Sequence, residues 1–177
     1  MLFNVLHELR QAMGAVNEFD LHEPQEKAGD VMIRYLEGTV SLLRTDRGLL
    51  ARTRASGLID EMCSRCLTPV QSPVHVDFEE EYVPLFDANT GAPIRLSEEE
   101  EEETFRIGPR WDLDLREGLR QYILMNEPAK PLCKPDCAGL CPVCGADMNT
   151  GPHECEAQRD ERWSALAGLK TEISEGN

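Results

Sequence analysis

Long apolar runs are missing from this 177-residue chain, and nothing approaches the ~20 residues that a membrane-crossing helix needs. A membrane partner is therefore not expected. Aromatics are scarce, with two Trp, three Tyr and five Phe, which leaves no evident platform for stacking exposed bases. The opening string M-L-F-N-V-L-H-E-L-R has no basic start, apolar core and small-residue cleavage site in succession, so a cytoplasmic location is expected. Also missing are H-E-x-x-H, a nucleophile elbow, a Walker loop and a dinucleotide fingerprint. The expectation is a protein that is no enzyme and takes no small-molecule substrate.

Positive charge is short as well. Eighteen Lys and Arg face thirty-three Asp and Glu, for a formal net charge of −15, which would repel a phosphate backbone if spread evenly. It is uneven. Residues 34 to 66 hold six Arg against four acids, whereas residues 77 to 103 hold eleven acids against Arg95 alone. A weakly basic stretch beside a strongly acidic one is dipolar, so the sign of the total decides little about partners.

What the chain does have is clustered sulfur. Five of its seven cysteines, Cys133, Cys137, Cys141, Cys144 and Cys155, lie in one short stretch, and Cys63 and Cys66 form a second close pair in C-S-R-C. In a reducing compartment an odd, clustered set argues for metal rather than disulfides. Cys141-Pro142-Val143-Cys144-Gly145 is the strongest local signal, a turn that aims two sulfurs and its own amides at one point. Zinc fits best because four thiolate or thiolate-imidazole ligands match its tetrahedral site; iron in a rubredoxin-like site is the runner-up.

The seven cysteines and His153 make eight donors, enough for two closed sites. One partition gives Cys141, Cys144, His153 and Cys155 to one ion and Cys63, Cys66, Cys133 and Cys137 to another. A second closes a single site from Cys133, Cys137, Cys141 and Cys144, leaving Cys63, Cys66 and Cys155 free. One or two ions are thus open, as is a bland role for His153 in an exposed loop. Cys63 and Cys66 also admit a redox reading, although that needs a helix N-terminus to lower a thiol pKa. A closed four-ligand ion leaves no position for water, so such a metal folds the chain rather than hydrolysing a substrate.

The expected fold class is α+β: a mostly antiparallel β body over residues 1–96, an acidic loop or linker at 97–104, a packing-helix region at 105–131, and a zinc-binding tail with a terminal helix at 132–177. Residues 1 to 24 read either as helical turns in L-H-E-L-R-Q-A-M or as a short strand, V-N-E-F-D-L-H, ending before Pro24. From Thr39, two β-type runs flank D-R-G with Gly48 placed to take positive φ, and the second runs into Cys63. In the next strand Val74, Val76, Phe78 and Glu80 share a face, and Pro84 to Pro93 reads as loop. Glu98 to Glu103 is expected to be solvated and mobile. Asp114 is the expected N-cap of a helix whose stripe is Leu115, Leu119, Tyr122 and Ile123, closed by Pro128. A last helix over Gln158 to Lys170 would carry Trp163, Leu166 and Leu169. Internal repeats are absent.

In order, C-S-R-C-L-T-P-V at 63–70, L-D-L-R-E-G-L-R-Q-Y-I-L-M-N-E-P at 113–128, L-C-K-P-D-C-A-G-L-C-P-V-C-G-A-D-M-N at 132–149 and D-E-R-W-S-A-L-A-G-L-K at 160–170 resemble the YceD family, the large ribosomal RNA subunit accumulation proteins. The resemblance covers about residues 36 to 170. It implies a cytoplasmic ribosome-biogenesis factor, without known catalysis, that supports large-subunit rRNA through a pre-ribosomal RNA, a ribosomal protein or both. The chain departs where many relatives end the cluster with C-x-C, having His153-Glu154-Cys155, and Glu161 replaces a usual proline. Arg44, Arg47, Arg52 and Arg54 are the side chains to connect with RNA phosphates; solvated arginines on a polar sheet face are the plainer reading. The rivals are an acidic protein-interaction adaptor and a thiol redox protein using Cys63 and Cys66.

Overall fold

A computed structural model describes residues 1–155. The chain divides into two units, Met1–Met62 with Pro69–Pro131, and Cys63–Thr68 with Leu132–Asn177. In the first, the elements run β1 (Leu2–Asn4), α1 (Leu6–Leu9), β2 (Val16–Ala28), β3 (Val31–Arg44), β4 (Leu49–Met62), β5 (Pro69–Pro84), α2 (Glu98–Glu103), β6 (Phe105–Ile107), β7 (Asp112–Asp114) and α3 (Arg116–Asn126). Strands β2 to β5 form an antiparallel meander, β6 joins β5 in parallel, and β1 pairs with β7 in a separate ladder. The class is α+β.

Alternation builds the sheet. In β4, Leu49, Ala51, Thr53 and Ala55 are buried while Arg52 and Arg54 are exposed; in β5, Val74, Val76 and Phe78 are buried between exposed His75, Asp77 and Glu79. A period of two puts one set on each face. Helix α3 covers the apolar face with Leu115, Leu119 and Ile123, all fully buried or nearly so. Each such side chain contributes roughly 1.5–3 kcal/mol of transfer free energy. Tyr122 stacks on Phe78 with ring centroids 4.4 Å apart, and its hydroxyl donates to Glu80 at 2.7 Å, which explains why Glu80 follows the apolar face of β5.

Both readings of the N-terminus have a counterpart, since Leu6–Leu9 is a single helical turn and Val16 onward is strand. The strand does not stop before Pro24. It continues to Ala28 because β2 is an edge strand, where a residue without an N–H leaves no inner ladder bond unmade. Opposite Pro24 the pairing skips Tyr35, which sits at φ 51, and the β3–β4 register shifts between Arg34 and Glu37.

Three further expectations are corrected. Gly48 is not among the positive-φ residues; it is required by space, since a Cβ there would lie 2.1 Å from the Tyr82 carbonyl oxygen. The acidic run is helix rather than loop. Ser97 accepts from the Glu100 amide while the Glu100 carboxylate accepts from the Ser97 amide, a full capping box, and acids in a first turn suit the helix dipole. The run is solvated, with no buried residue in α2. Finally, Leu115 rather than Asp114 is the N-cap of α3, although Asp114 still accepts from the Arg116 amide at 3.0 Å. The expected helix at 158–170 lies outside the described residues.

Candidate metal centres

Two turns in the second unit are built alike. At Cys63–Thr68 the Cys63 amide donates to the Thr68 carbonyl and the Leu67 amide to the Cys63 carbonyl, both at 2.9 Å, with Leu67 at φ 59. At Cys141–Ala146 the Cys141 amide donates to the Ala146 carbonyl at 2.8 Å and the Gly145 amide to the Cys141 carbonyl at 2.9 Å, with Gly145 at φ 73. The glycine after the second cysteine is needed for φ and not for space, because nothing lies within 4 Å of a Cβ placed there. Leu67 takes the same left-handed conformation against the steric preference of an L-residue. The likeness of C-S-R-C to this turn is not legible in the sequence, because leucine stands at 67 where glycine marks the turn at 145.

Each turn gathers two more ligands. Cys63, Cys66, Cys133 and Cys137 form one group and Cys141, Cys144, His153 and Cys155 another, with one candidate ligand atom per residue and all such atoms in a group within 4.8 Å of one another. The Sγ atoms of Cys63 and Cys137 are 3.8 Å apart and those of Cys66 and Cys133 are 3.6 Å apart. Sulfurs at 2.3 Å from a tetrahedral ion stand about 3.8 Å from each other, whereas a disulfide requires about 2.05 Å. All seven cysteines are free thiols. The single site drawn from Cys133, Cys137, Cys141 and Cys144 is not assembled, since these four divide between the two groups. His153 Nε2 lies 3.1 Å from the Cys144 sulfur.

Charge explains why such groups call for a cation. The backbone amides of Cys66 and Arg65 lower the Cys63 thiol to about 6, and those of Cys144 and Val143 do the same for Cys141. Burial opposes ionisation of Cys137, yet hydrogen bonds from the Asn149 side chain and the Gly139 backbone hold it below the ordinary thiol value. The partners move the other way. Its hydrogen bond to Cys137 and desolvation push Cys133 up to about 12, and desolvation with hydrogen bonding to Cys144 pushes Cys155 up to about 11. Each group thus sets thiols that ionise readily beside a neighbour that resists ionising. A divalent ion removes that conflict.

Supporting groups were not legible in sequence. Arg65 donates to the Cys137 carbonyl at 2.8 Å. Asn149 donates to the Cys137 sulfur at 3.4 Å and accepts from the Ala138 amide at 2.9 Å, and Met148 donates its amide to the Gly139 carbonyl.

The four arginines connected with RNA are each engaged in the first unit. Arg44 donates to the carbonyls of Leu9, Thr45 and Gly48. Arg47 bridges Glu81 at 2.8 Å and Glu100 at 2.9 Å. Arg52 pairs with Glu79 at 3.0 Å and Arg54 with Asp77 at 3.1 Å. Register places Arg52 in the row Glu18, Ser41, Arg52, Glu79 and Arg54 in the row Asp20, Thr39, Arg54, Asp77. In each row the acid beside the arginine stands on β5, while Ser41 or Thr39 of β3 separates the arginine from the acid on β2.

Among the described residues no helix is long and apolar enough to cross a membrane. The family model for the large ribosomal RNA subunit accumulation protein YceD matches residues 51–170, a span that includes both ligand groups. An uncharacterised protein of Mycobacterium tuberculosis is 34% identical over 123 residues, covering 68% of this chain and 55% of the relative. An uncharacterised Mycobacterium leprae protein is 27% identical over 123 residues, covering 68% and 52%. The chain thus spans about half the length of the curated relatives it matches. No solved structure matches.

Proposed function

Because this chain belongs to the YceD family of large ribosomal RNA subunit accumulation proteins, we propose that it is a cytoplasmic, non-enzymatic factor in large-subunit rRNA accumulation, folded in its second unit by two zinc ions. One observation carries the reading: the family match encloses eight donors that converge as two four-ligand groups. Sulfur–sulfur spacings near that of a tetrahedral thiolate site support zinc over the redox reading of Cys63 and Cys66, which shares those sulfurs with Cys133 and Cys137. The tetrahedral ion would close each site, leaving no ligand position for a substrate.

The contact with the pre-ribosome is to a ribosomal protein rather than to rRNA phosphates. Arg47, Arg52 and Arg54 already hold carboxylates, so a phosphate would have to displace them, and the unburied acidic helix Glu98–Glu103 suits a basic protein partner. Co-sedimentation of the tagged chain with large-subunit precursors tests the role. Recovery in those fractions at low salt is expected, and its absence there would favour the adaptor reading unrelated to ribosomes.

A further inference from the structure

The two ligand groups differ in access, and the difference bears on what the ions do. In the group of Cys63, Cys66, Cys133 and Cys137, three sulfur residues are 0%, 6% and 2% exposed, for Cys63, Cys66 and Cys137. Around it, Arg65 fixes the Cys137 carbonyl and Asn149 donates to the Cys137 sulfur. In the other group, Cys144 and Cys155 are exposed and only Cys141 is buried. There the Val143 amide donates to the Cys141 sulfur at 3.5 Å, and the Cys144 amide supports the same thiolate.

Chain connection sharpens the contrast. His153 and Cys155 lie in residues 151–155, which form no helix or strand and, among the described residues, carry no backbone hydrogen bond. Opening that short stretch would free two of four ligands in one local step, and low-cost local openings set the rate at which buried groups meet solvent. In the first group Cys63 and Cys66 sit in a turn held by two backbone hydrogen bonds, Cys63 to Thr68 and Leu67 to Cys63, and the Cys137 amide donates to the Lys134 carbonyl; only Cys133 is exposed.

Resting on the zinc reading above, we propose that the centres differ in permanence: the Cys63, Cys66, Cys133 and Cys137 ion is a fixed structural one, whereas the Cys141, Cys144, His153 and Cys155 ion exchanges with solvent. The distal stretch is then a zinc-responsive element that gives up its ion to a competing ligand while the rest of the second unit stays folded. No electron or group transfer is involved; the ion passes from thiolates and imidazole to the competitor.

The test uses the full chain loaded with zinc and challenged with EDTA, followed by native mass spectrometry and by iodoacetamide mapping of whichever cysteines become free. A one-zinc species is expected to accumulate, its ion leaving about ten-fold more slowly than the first, in line with the effect of a supporting shell on metal affinity. In that species Cys141, Cys144 and Cys155 are alkylated, and Cys63, Cys66, Cys133 and Cys137 are protected. His153→Asn is expected to speed the fast phase and leave the slow one unchanged. Release of both ions at one rate, or protection of the distal cysteines instead, would overturn this inference alone. A chain that takes up no zinc would remove the zinc reading and this inference together.

Discussion

Leu67 and Gly145 occupy the same position of two like turns, with φ values of 59 and 73, and that equivalence makes a matched pair of substitutions informative. Leu67 is 58% exposed, so Leu67→Gly loses little packing and relieves the strain of an L side chain in a left-handed conformation, whereas Gly145→Ala introduces that strain. Expected shifts are about 1 kcal/mol each, stabilising for Leu67→Gly and destabilising for Gly145→Ala. Urea midpoints of the zinc-loaded protein give the sign, and the same sign for both would mean the turns are not equivalent. Protonation gives a second residue-scale outcome. Cys133 and Cys155, held up at about 12 and about 11, enter as thiols at neutral pH and bind an ion as thiolates. Zinc uptake therefore releases protons, and apparent affinity rises with pH and is lost on acidification. An indicator dye in weak buffer reads the release; uptake without acidification would contradict ligation by these two sulfurs.

At the scale of elements, α3 holds the apolar face of β5, so Leu119→Ala should cost about 2–5 kcal/mol by leaving a cavity under a fully buried position. Equilibrium denaturation reads this, and a loss of only about 0.5 kcal/mol or less, as at exposed sites, would show the helix is not part of the core. Ser97→Ala should fray α2 at a cost of about 0.5–2 kcal/mol, seen as faster amide exchange over residues 98–104 with the sheet unaffected. These elements also show what could be read from sequence. The 3.6-residue spacing of Leu115, Leu119 and Ile123 and the alternation through Val74, Val76 and Phe78 were legible because one buried face dictates them. The strand through Pro24 was not, because its tolerance depends on β2 lying at an edge. Helix α2 was marked by Ser97 and Glu100, a capping-box signal outweighed by reading six like charges as mutually repelling. The conformation of Gly48 was misread because its neighbour, the Tyr82 carbonyl, is far away in sequence.

Over the whole chain, the donor residues of the two candidate groups were legible and the partition between them was not, since spacing along the chain leaves open whether Cys133 and Cys137 join Cys63 and Cys66 or Cys141 and Cys144. That choice is made by convergence in space. The ion pairs of Arg52 and Arg54 were hidden from sequence for a related reason: Glu79 and Asp77 oppose them only once β5 pairs with β4. The measurement that bears most directly on the central claim is zinc content per chain, by elemental analysis, together with the X-ray absorption signature of the bound ion. Two zinc ions per chain are expected, in a mixture of a four-sulfur and a three-sulfur, one-nitrogen shell. Purified chain lacking zinc under reducing conditions, or holding one ion in an all-sulfur shell with Cys63 and Cys66 freely alkylated, would contradict it.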